Sequence, residues 1–264
     1  MSFISVDNIT AGYTKEKVLE EVSFKIDEGE LIGILGLNGS GKSTLAKAIC
    51  NIIPHEGNVT INKNIVEDLK ISQVAKLISY VSQKSGLSLD ISVLDVVLMG
   101  FNPTLKLLEK PNQRMIYEAK FILETIGLYD YIDTNFMLLS EGQKQLTILA
   151  RALISSGSLL VMDEPDSSLD FNVRIKMFHM LRNWIKNENR AGLVILHDVM
   201  FALNNCDRLI LLNNKTIEDV VDLHNDKLED IEEKLRKVYK DISLFKIKNK
   251  VGKENFTVLF ESEA

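Results

Sequence analysis

The sequence predicts an α/β fold built on a mostly parallel sheet, and three observations predict it. Leu31 to Leu35 and Leu159 to Met162 are continuous apolar runs, the pattern of strands buried on both faces. A glycine-rich loop, Gly36 to Gly41, separates the first of these runs from a helix-patterned segment. Between Ile91 and Ser156 the alternation of strand and helix stops, and roughly sixty residues read as helix and loop, the mark of a helical insertion.

The elements follow in order. Phe3 to Tyr13 and Val18 to Ile26 alternate loosely and read as strands of an edge sheet. Glu28-Gly29 turns the chain into Leu31 to Leu35. After the glycine-rich loop, Leu45, Ala48, Ile49 and Ile52 fall at i, i+3, i+4 and i+7, one apolar helix face, and Pro54 stops it. Gly57 to Ile65 and Ile78 to Ser82 read as further strands. Val93 to Met99, Asn112 to Ile126 and Gln143 to Leu153 are the helices of the insertion. Leu159 to Met162 resumes the sheet, followed by a helix from Asp170 to Ile185 and strands at Gly192 to Leu196 and Arg208 to Leu212. Beyond Val220, Leu228, Ile231, Leu235 and Val238 form a helical stripe. Ser243 to Ile247 and Phe256 to Phe260 flank Lys250-Val251-Gly252-Lys253-Glu254, the layout of a hairpin.

Bulk properties narrow the class. A chain of 264 residues suffices for one large α/β domain with a small appendage. A net charge of −6 implies no general affinity for nucleic acid or anionic lipid. No apolar run approaches the ~18–20 residues that span a bilayer, and the N-terminal residues lack the basic and apolar regions of a signal peptide. Cys50 and Cys206 stand far apart in the sequence and read as free, buried thiols.

Gly36-Leu37-Asn38-Gly39-Ser40-Gly41-Lys42-Ser43-Thr44 matches G-x-x-x-x-G-K-S/T, and it lies where phosphate binding requires, after a buried strand and before a helix. The glycines allow backbone N–H groups to point into one concavity, and the helix N-terminus adds its positive dipole end. Lys42 is placed to reach the β- and γ-phosphates, and the Ser43 hydroxyl to coordinate Mg²⁺. Leu159 to Met162 ends in Asp163-Glu164. An acid at the carboxyl end of a buried strand beside a phosphate loop suits Mg²⁺, and its neighbour suits polarisation of the attacking water. Leu139-Ser140-Glu141-Gly142-Gln143 opens a helix with a Ser-x-x-Gln capping box, which makes a second anion site at a helix start.

In order and spacing these motifs resemble the ATP-binding subunits of ABC transporters across about residues 2 to 220. Gly36 to Thr44 is similar to the family's Walker A loop, Gln83 to the Q-loop glutamine, and Leu139 to Gln143 to the LSGGQ signature. Asp163 and Glu164 resemble the Walker B magnesium ligand and catalytic glutamate. Ser167-Ser168-Leu169-Asp170 resembles the D-loop, His197 the switch histidine, and Tyr13 the aromatic that stacks on adenine. The resemblance implies a P-loop NTPase (RecA-like) core with an antiparallel β subdomain and a helical insertion. Residues 1–87 and 157–220 would form the core, 88–156 the helical subdomain, and 221–264 an extension of helix and hairpin.

It also implies roles. Glu164, His197, Gln83 and Lys42 carry the chemistry. Tyr13, Gly36, Asn38, Gly39, Ser40, Gly41, Lys42, Ser43, Thr44, Ser140, Gly142, Gln143 and Asp170 bind ATP. Ser43, Gln83 and Asp163 hold Mg²⁺. Glu141 stands where the family usually has glycine, and a carboxylate there should point away from the nucleotide. Tail residues 221–264 match no motif, and His55, His179 and His224 read as ordinary histidines.

Val93 to Pro103, Leu169 to Asn172 and Leu196-His197-Asp198 resemble the ATPases of iron-siderophore, haem and vitamin B12 importers. This implies a head-to-tail homodimer at the cytoplasmic face of the cell membrane, peripheral to it. The dimer would dock on transmembrane permease subunits that serve an extracytoplasmic binding protein. Val93, Val96, Val97, Met99, Gly100 and Phe101 are an apolar cluster expected to line the docking groove. The alternatives are a soluble ABC ATPase with a non-transport role, a transporter of another cargo, and a P-loop kinase or GTPase. The signature, D-loop and His197 argue against the last of these.

Overall fold

The computed structural model describes residues 3–13, 16–83, 90–166, 169–187, 190–250 and 252–260. Ser167 and Ser168 of the expected D-loop, and Val251 of the expected hairpin turn, lie outside them. By compactness the chain forms two units, one of residues 1–67 and 193–264 and one of residues 68–192.

The first unit holds two sheets and a terminal hairpin. The strands β1 (Ile4–Gly12), β2 (Lys17–Ile26), β4 (His55–Ile61) and β5 (Asn64–Ile65) form an antiparallel sheet in the order β2-β1-β4-β5. One strand was expected from Gly57 to Ile65. The structure breaks it at Asn62 and Lys63, which both take positive φ (47° and 68°), the two-residue turn that suits a tight hairpin. In the second sheet, β3 (Leu31–Leu35) runs parallel to β9 (Arg208–Asn213), and β10 (Thr216–Asp222) returns antiparallel to β9. The C-terminal half of β8 (Ala191–Ile195) follows beside β3, where the next residue, Leu196, donates its N–H to the Ile34 carbonyl at 3.2 Å. All five residues of β3 are buried, as their unbroken apolar pattern requires.

Helix α1 (Lys42–Ile49) leaves β3 through the glycine-rich loop and buries Leu45, Ala46, Ala48 and Ile49. Helix α7 (Val199–Asn205) starts on the side chain of Asp198, which accepts the Phe201 N–H at 2.9 Å. β10 and α7 lack a long periodic stripe, and sequence pattern alone does not separate them from loop.

The tail belongs to this first unit. Helix α8 (Leu228–Arg236) buries Ile231 and Leu235 completely, and β11 (Ile242–Lys248) pairs with β12 (Glu254–Phe260) as the expected hairpin. Several bonds fix it in place. Asn204 accepts the Phe256 N–H and donates to the Phe256 carbonyl, each at 2.9 Å. Glu232 accepts the Leu244 N–H at 2.7 Å, and Lys234 donates to the Val220 carbonyl at 2.9 Å. Burial of aliphatic side chains such as Ile231, Leu235 and Ile242 stabilises by about 1.5–3 kcal/mol each, so the tail is part of the folded unit.

The second unit contains the parallel pair β6 (Ile78–Val81) and β7 (Leu159–Asp163). The helices are α2 (Ile71–Leu77), α3 (Val93–Leu98), α4 (Gln113–Thr125), α5 (Glu141–Leu153) and α6 (Phe171–Asn187). Side-chain caps start three of them: Ser92 accepts from Asp95 N, Asn112 from Met115 N and Ser140 from Gln143 N. Phe136 and Phe178 are fully buried, and the Trp184 indole N–H donates to the Leu153 carbonyl at 2.8 Å.

The apolar cluster expected to line a groove is largely interior, though Met99 is half-buried and lines an open pocket with Gly100. Val93, Val96 and Val97 are fully buried and Phe101 is 8% exposed. Gly100 fits against α5 so closely that a Cβ would lie 2.3 Å from the Arg151 carbonyl oxygen. α3 therefore uses its apolar face to pack the unit, which is the ordinary fate of such a stripe. Cys50 and Cys206 are buried and form no disulfide among the described residues.

Candidate active site

The first unit carries the phosphate loop. β3 ends at Leu35, and α1 begins at Lys42 with Gly41 as its cap in a left-handed conformation (φ 101°). A side chain at Gly41 would be strained by that φ and would meet Leu19 Cδ2 at 2.7 Å. At Gly36 the constraint is contact: a Cβ would lie 2.3 Å from the Leu212 carbonyl oxygen. The loop between them is open at Gly39, where a Cβ would meet nothing within 4 Å, and Leu37 and Asn38 are exposed.

Lys42 is only 6% exposed. Its ammonium folds back onto the loop, donating to the Gly36 carbonyl at 2.9 Å and the Leu37 carbonyl at 3.1 Å. Ser40 Oγ is buried with no hydrogen-bond partner among the described residues. Buried polar groups are normally paired, so a cation held at the loop mouth beside an orphan hydroxyl fits a site made for an anion. Thr44 is buried and Ser43 half-buried at the start of α1.

Tyr13 follows β1 and is 58% exposed. The Lys47 ammonium lies 5.7 Å from its ring centroid and 3.4 Å from its hydroxyl. Lys47 faces Tyr13 from the exposed side of α1, and no motif marks it. His197, just past β8, is exposed.

The second unit carries the acids. Asp163 closes β7 at 4% exposure, and the Tyr80 hydroxyl donates to its Oδ2 at 3.4 Å. Glu164 follows with φ 50°, a left-handed conformation that a non-glycine residue adopts at a cost of order 1–3 kcal/mol. The turn swings the Glu164 carboxylate to Gln83, whose Nε2 donates to Oε2 at 2.5 Å. Gln83 sits just beyond β6 and Glu164 just beyond β7, so the parallel pairing of these strands brings the two side chains together. Asp170 caps α6, accepting the Val173 N–H at 3.0 Å.

Ser140 and Gln143 form the expected capping box. The Ser140 N–H donates to Gln143 Oε1 at 3.0 Å, and Ser140 Oγ accepts the Gln143 N–H at 3.3 Å. Gly142 is half-buried in the first turn. The Glu141 side chain runs along the helix to Lys144, with 2.9 Å between its carboxylate and the ammonium. A cleft of about 780 Å³ in this unit, lined by Phe121, Met180, Trp184 and Arg190 among others, includes Phe101 of the expected docking cluster but none of the expected nucleotide or metal residues.

The described residues contain no helix long and apolar enough to cross a membrane. The family model for ABC transporters matches residues 19–167. The manganese transport system ATP-binding protein MntB of Bacillus subtilis is 35% identical over 217 residues, 81% of this chain and 84% of the relative. A Helicobacter pylori relative, "Probable iron chelatin transport ATP-binding protein", is 33% identical over 81% of this chain and 85% of its own. In fold, the chain superposes on the structure described as "An inward-facing conformation of a putative metal-chelate type ABC transporter" with a TM-score of 0.81, covering 99% of both chains at 24% identity. It also matches an ATP-binding cassette dimer in a post-hydrolysis state with ADP and Pi bound, at a TM-score of 0.74 and 26% identity over 83% of this chain and 98% of that one. The chain belongs to the ABC transporter family, as an ATP-binding subunit whose reaction is the hydrolysis of ATP.

Proposed function

We propose that this chain powers an importer of a metal ion or metal chelate, working as a head-to-tail homodimer beneath its permease subunits at the cytoplasmic face of the membrane. The observation that carries the ATPase part is the buried Lys42 ammonium held on the Gly36 and Leu37 carbonyls. Phosphate oxygens are stronger acceptors than peptide carbonyls, and the ammonium shifts to them when nucleotide enters. The relatives named for manganese, zinc and iron chelatin support the cargo class. They broaden the sequence-based expectation of a siderophore, haem or corrinoid to metal ions as well.

In this reading Tyr13 stacks on the adenine, and Gly36, Asn38, Gly39, Ser40 and Gly41 cradle the phosphates with Thr44. Ser140, Gly142 and Gln143 of one chain close on the nucleotide of the other, with Asp170 lining that junction. The hydroxyl of Ser43, the carboxylate of Asp163 and the amide oxygen of Gln83 are hard oxygen donors that fit Mg²⁺. Bound there, Mg²⁺ neutralises charge on the β- and γ-phosphates. Glu164 takes the proton of the attacking water, and His197 senses the γ-phosphate. Hydrolysis reopens the dimer, and the permease converts that motion into alternating access.

Reconstitution tests the cargo. The chain, co-expressed with a candidate permease and binding protein from the same genome, is placed in vesicles containing ATP. Uptake of radiolabelled manganese, zinc or ferric chelate that stops with vanadate is the expected result. A chain that co-purifies with no permease and supports no uptake would make the soluble ABC ATPase the better reading.

A further inference from the structure

Lys47 carries an ammonium that the phosphate chemistry does not use. It stands five residues beyond Lys42 in α1, about 7.5 Å along the helix axis and about 140° around it, so the two lysines leave the helix on different sides. Leu45, Ala46, Ala48 and Ile49 around it are buried, while Lys47 itself is half-buried. Its ammonium donates to the Tyr13 hydroxyl at 3.4 Å and lies 5.7 Å from the centre of the ring. A cation over the ring face would be nearer the centre than the hydroxyl oxygen. This one is nearer the oxygen, so it sits off the hydroxyl end of the ring and covers neither face.

We propose that Lys47 is a positioning residue for ATP, which holds the Tyr13 ring by its hydroxyl end and leaves a face open for the adenine. The inference rests on the reading in which Tyr13 stacks on the base, and not on any cargo.

The surroundings fit this role. Tyr13 is 58% exposed, so packing alone does not fix its ring. The backbone before it is fixed: Gly12 pairs with Lys17 across β1 and β2, and a Cβ at Gly12 would lie 2.2 Å from the Glu16 carbonyl oxygen. What remains to be settled is the pair of side-chain torsions of the tyrosine. The bond from Lys47 settles them from α1, the helix that begins at the phosphate loop. The aromatic that meets the base is thereby tied to the element that meets the phosphates, and the two subsites keep one spacing. Without the bond the ring takes the stacking orientation for only part of the time, and affinity falls by that fraction. A lysine in the last turn of a helix also meets the negative end of the helix dipole. That second role concerns stability and not the nucleotide.

Lys47→Met and Tyr13→Phe in the full chain test it. Methionine keeps the length and helix propensity of lysine without the ammonium, and phenylalanine keeps the ring without the hydroxyl. Each should weaken Mg-ATP binding in calorimetric titration by about threefold, the loss expected when the ring is rightly oriented about a third of the time. The double variant should bind no more weakly than either single one, because both changes remove the same bond. Mg-tripolyphosphate, which has no base, should bind all three variants as it binds the wild type. The Michaelis constant for ATP should rise with the dissociation constant, while turnover at saturating ATP changes less. Effects that multiply in the double variant would overturn the proposal. So would a loss in Lys47→Met that tripolyphosphate shares, which would put the ammonium on the phosphates. A lower melting temperature with wild-type affinity would leave Lys47 to the helix dipole and overturn it equally. Tyr13→Ala separates the inference from the reading beneath it. If that variant binds Mg-ATP as the wild type does, Tyr13 is not at the base and both fall; if it binds weakly while Lys47→Met does not, only the role of Lys47 falls.

Discussion

Gln83 donates its side-chain amide to the carboxylate of Glu164 at 2.5 Å, across 81 residues of sequence. The bond occupies one oxygen of the group proposed as the general base. Glu164 is held there by a left-handed backbone, so its side chain is aimed by strain as well as by its partner. The other oxygen of the carboxylate is the one proposed to receive the proton of the attacking water.

Glu164→Gln should abolish steady-state hydrolysis while sparing ATP binding. Loss of a general base costs typically 10²–10⁴-fold, and phosphate release should fall by at least about 100-fold. The amide cannot take the proton, but Asp163 and the phosphate loop are untouched. Gel filtration with ATP should show the variant at twice its nucleotide-free mass. Ordinary turnover in this variant would remove Glu164 from its role.

Lys42→Ala should weaken Mg-ATP binding by about tenfold or more, the range expected for loss of a hydrogen bond to a charged group in a buried site. The fold should survive, because the bonds lost are to two carbonyls of the loop itself, at Gly36 and Leu37. Equilibrium binding paired with a thermal melt separates the two effects. Wild-type affinity in this variant would contradict the loop's assignment.

How far the site was legible differs from residue to residue. The phosphate loop, β3, β7 and the capping box at Ser140 are local in sequence, and each declares itself through spacing and apolar pattern. The bond from Gln83 to Glu164 and the hydroxyl of Tyr80 on Asp163 join residues far apart in the chain. Only the pairing of β6 with β7 brings them together. The α3 stripe was visible but ambiguous: an apolar face says that something covers it, and its own unit supplies the cover. α2 escaped because only Val74 of its residues is buried, which leaves no stripe to detect.

Glu141→Gly should leave hydrolysis within about twofold of wild type. The Glu141 side chain is 76% exposed, and its partner is Lys144 on the same helix. Exposed pairs of this kind contribute about 0–1 kcal/mol, and an acid in the first turn adds a few tenths through the helix dipole. The change should therefore appear as a small fall in melting temperature, with the capping box of Ser140 and Gln143 intact. A complete loss of turnover with normal folding would show that the carboxylate has a part in the reaction.

Phe101→Asp distinguishes a packing role from a docking role for the apolar cluster after β6. On the sequence pattern alone, an aspartate at a groove rim would spare hydrolysis and break only permease association. The structure gives a different expectation. Phe101 is 8% exposed and its carbonyl accepts the N–H groups of Thr104 and Leu105 at 2.9 and 3.2 Å, so it anchors the turn that follows α3. Replacing it removes a buried ring, worth about 3–5 kcal/mol in comparable truncations, and puts a carboxylate where the ring was buried. The second unit should loosen, and hydrolysis should fall together with the melting temperature. Asn102 and Pro103, next in the chain, border an open pocket of about 270 Å³ that Met99 and Arg151 also line. Asn102 is exposed, so Asn102→Asp should leave the melting temperature and basal hydrolysis near wild type. Melting curves and phosphate release measured on both variants decide the matter: if Phe101→Asp melts normally and hydrolyses ATP at the wild-type rate, the ring is not part of the core.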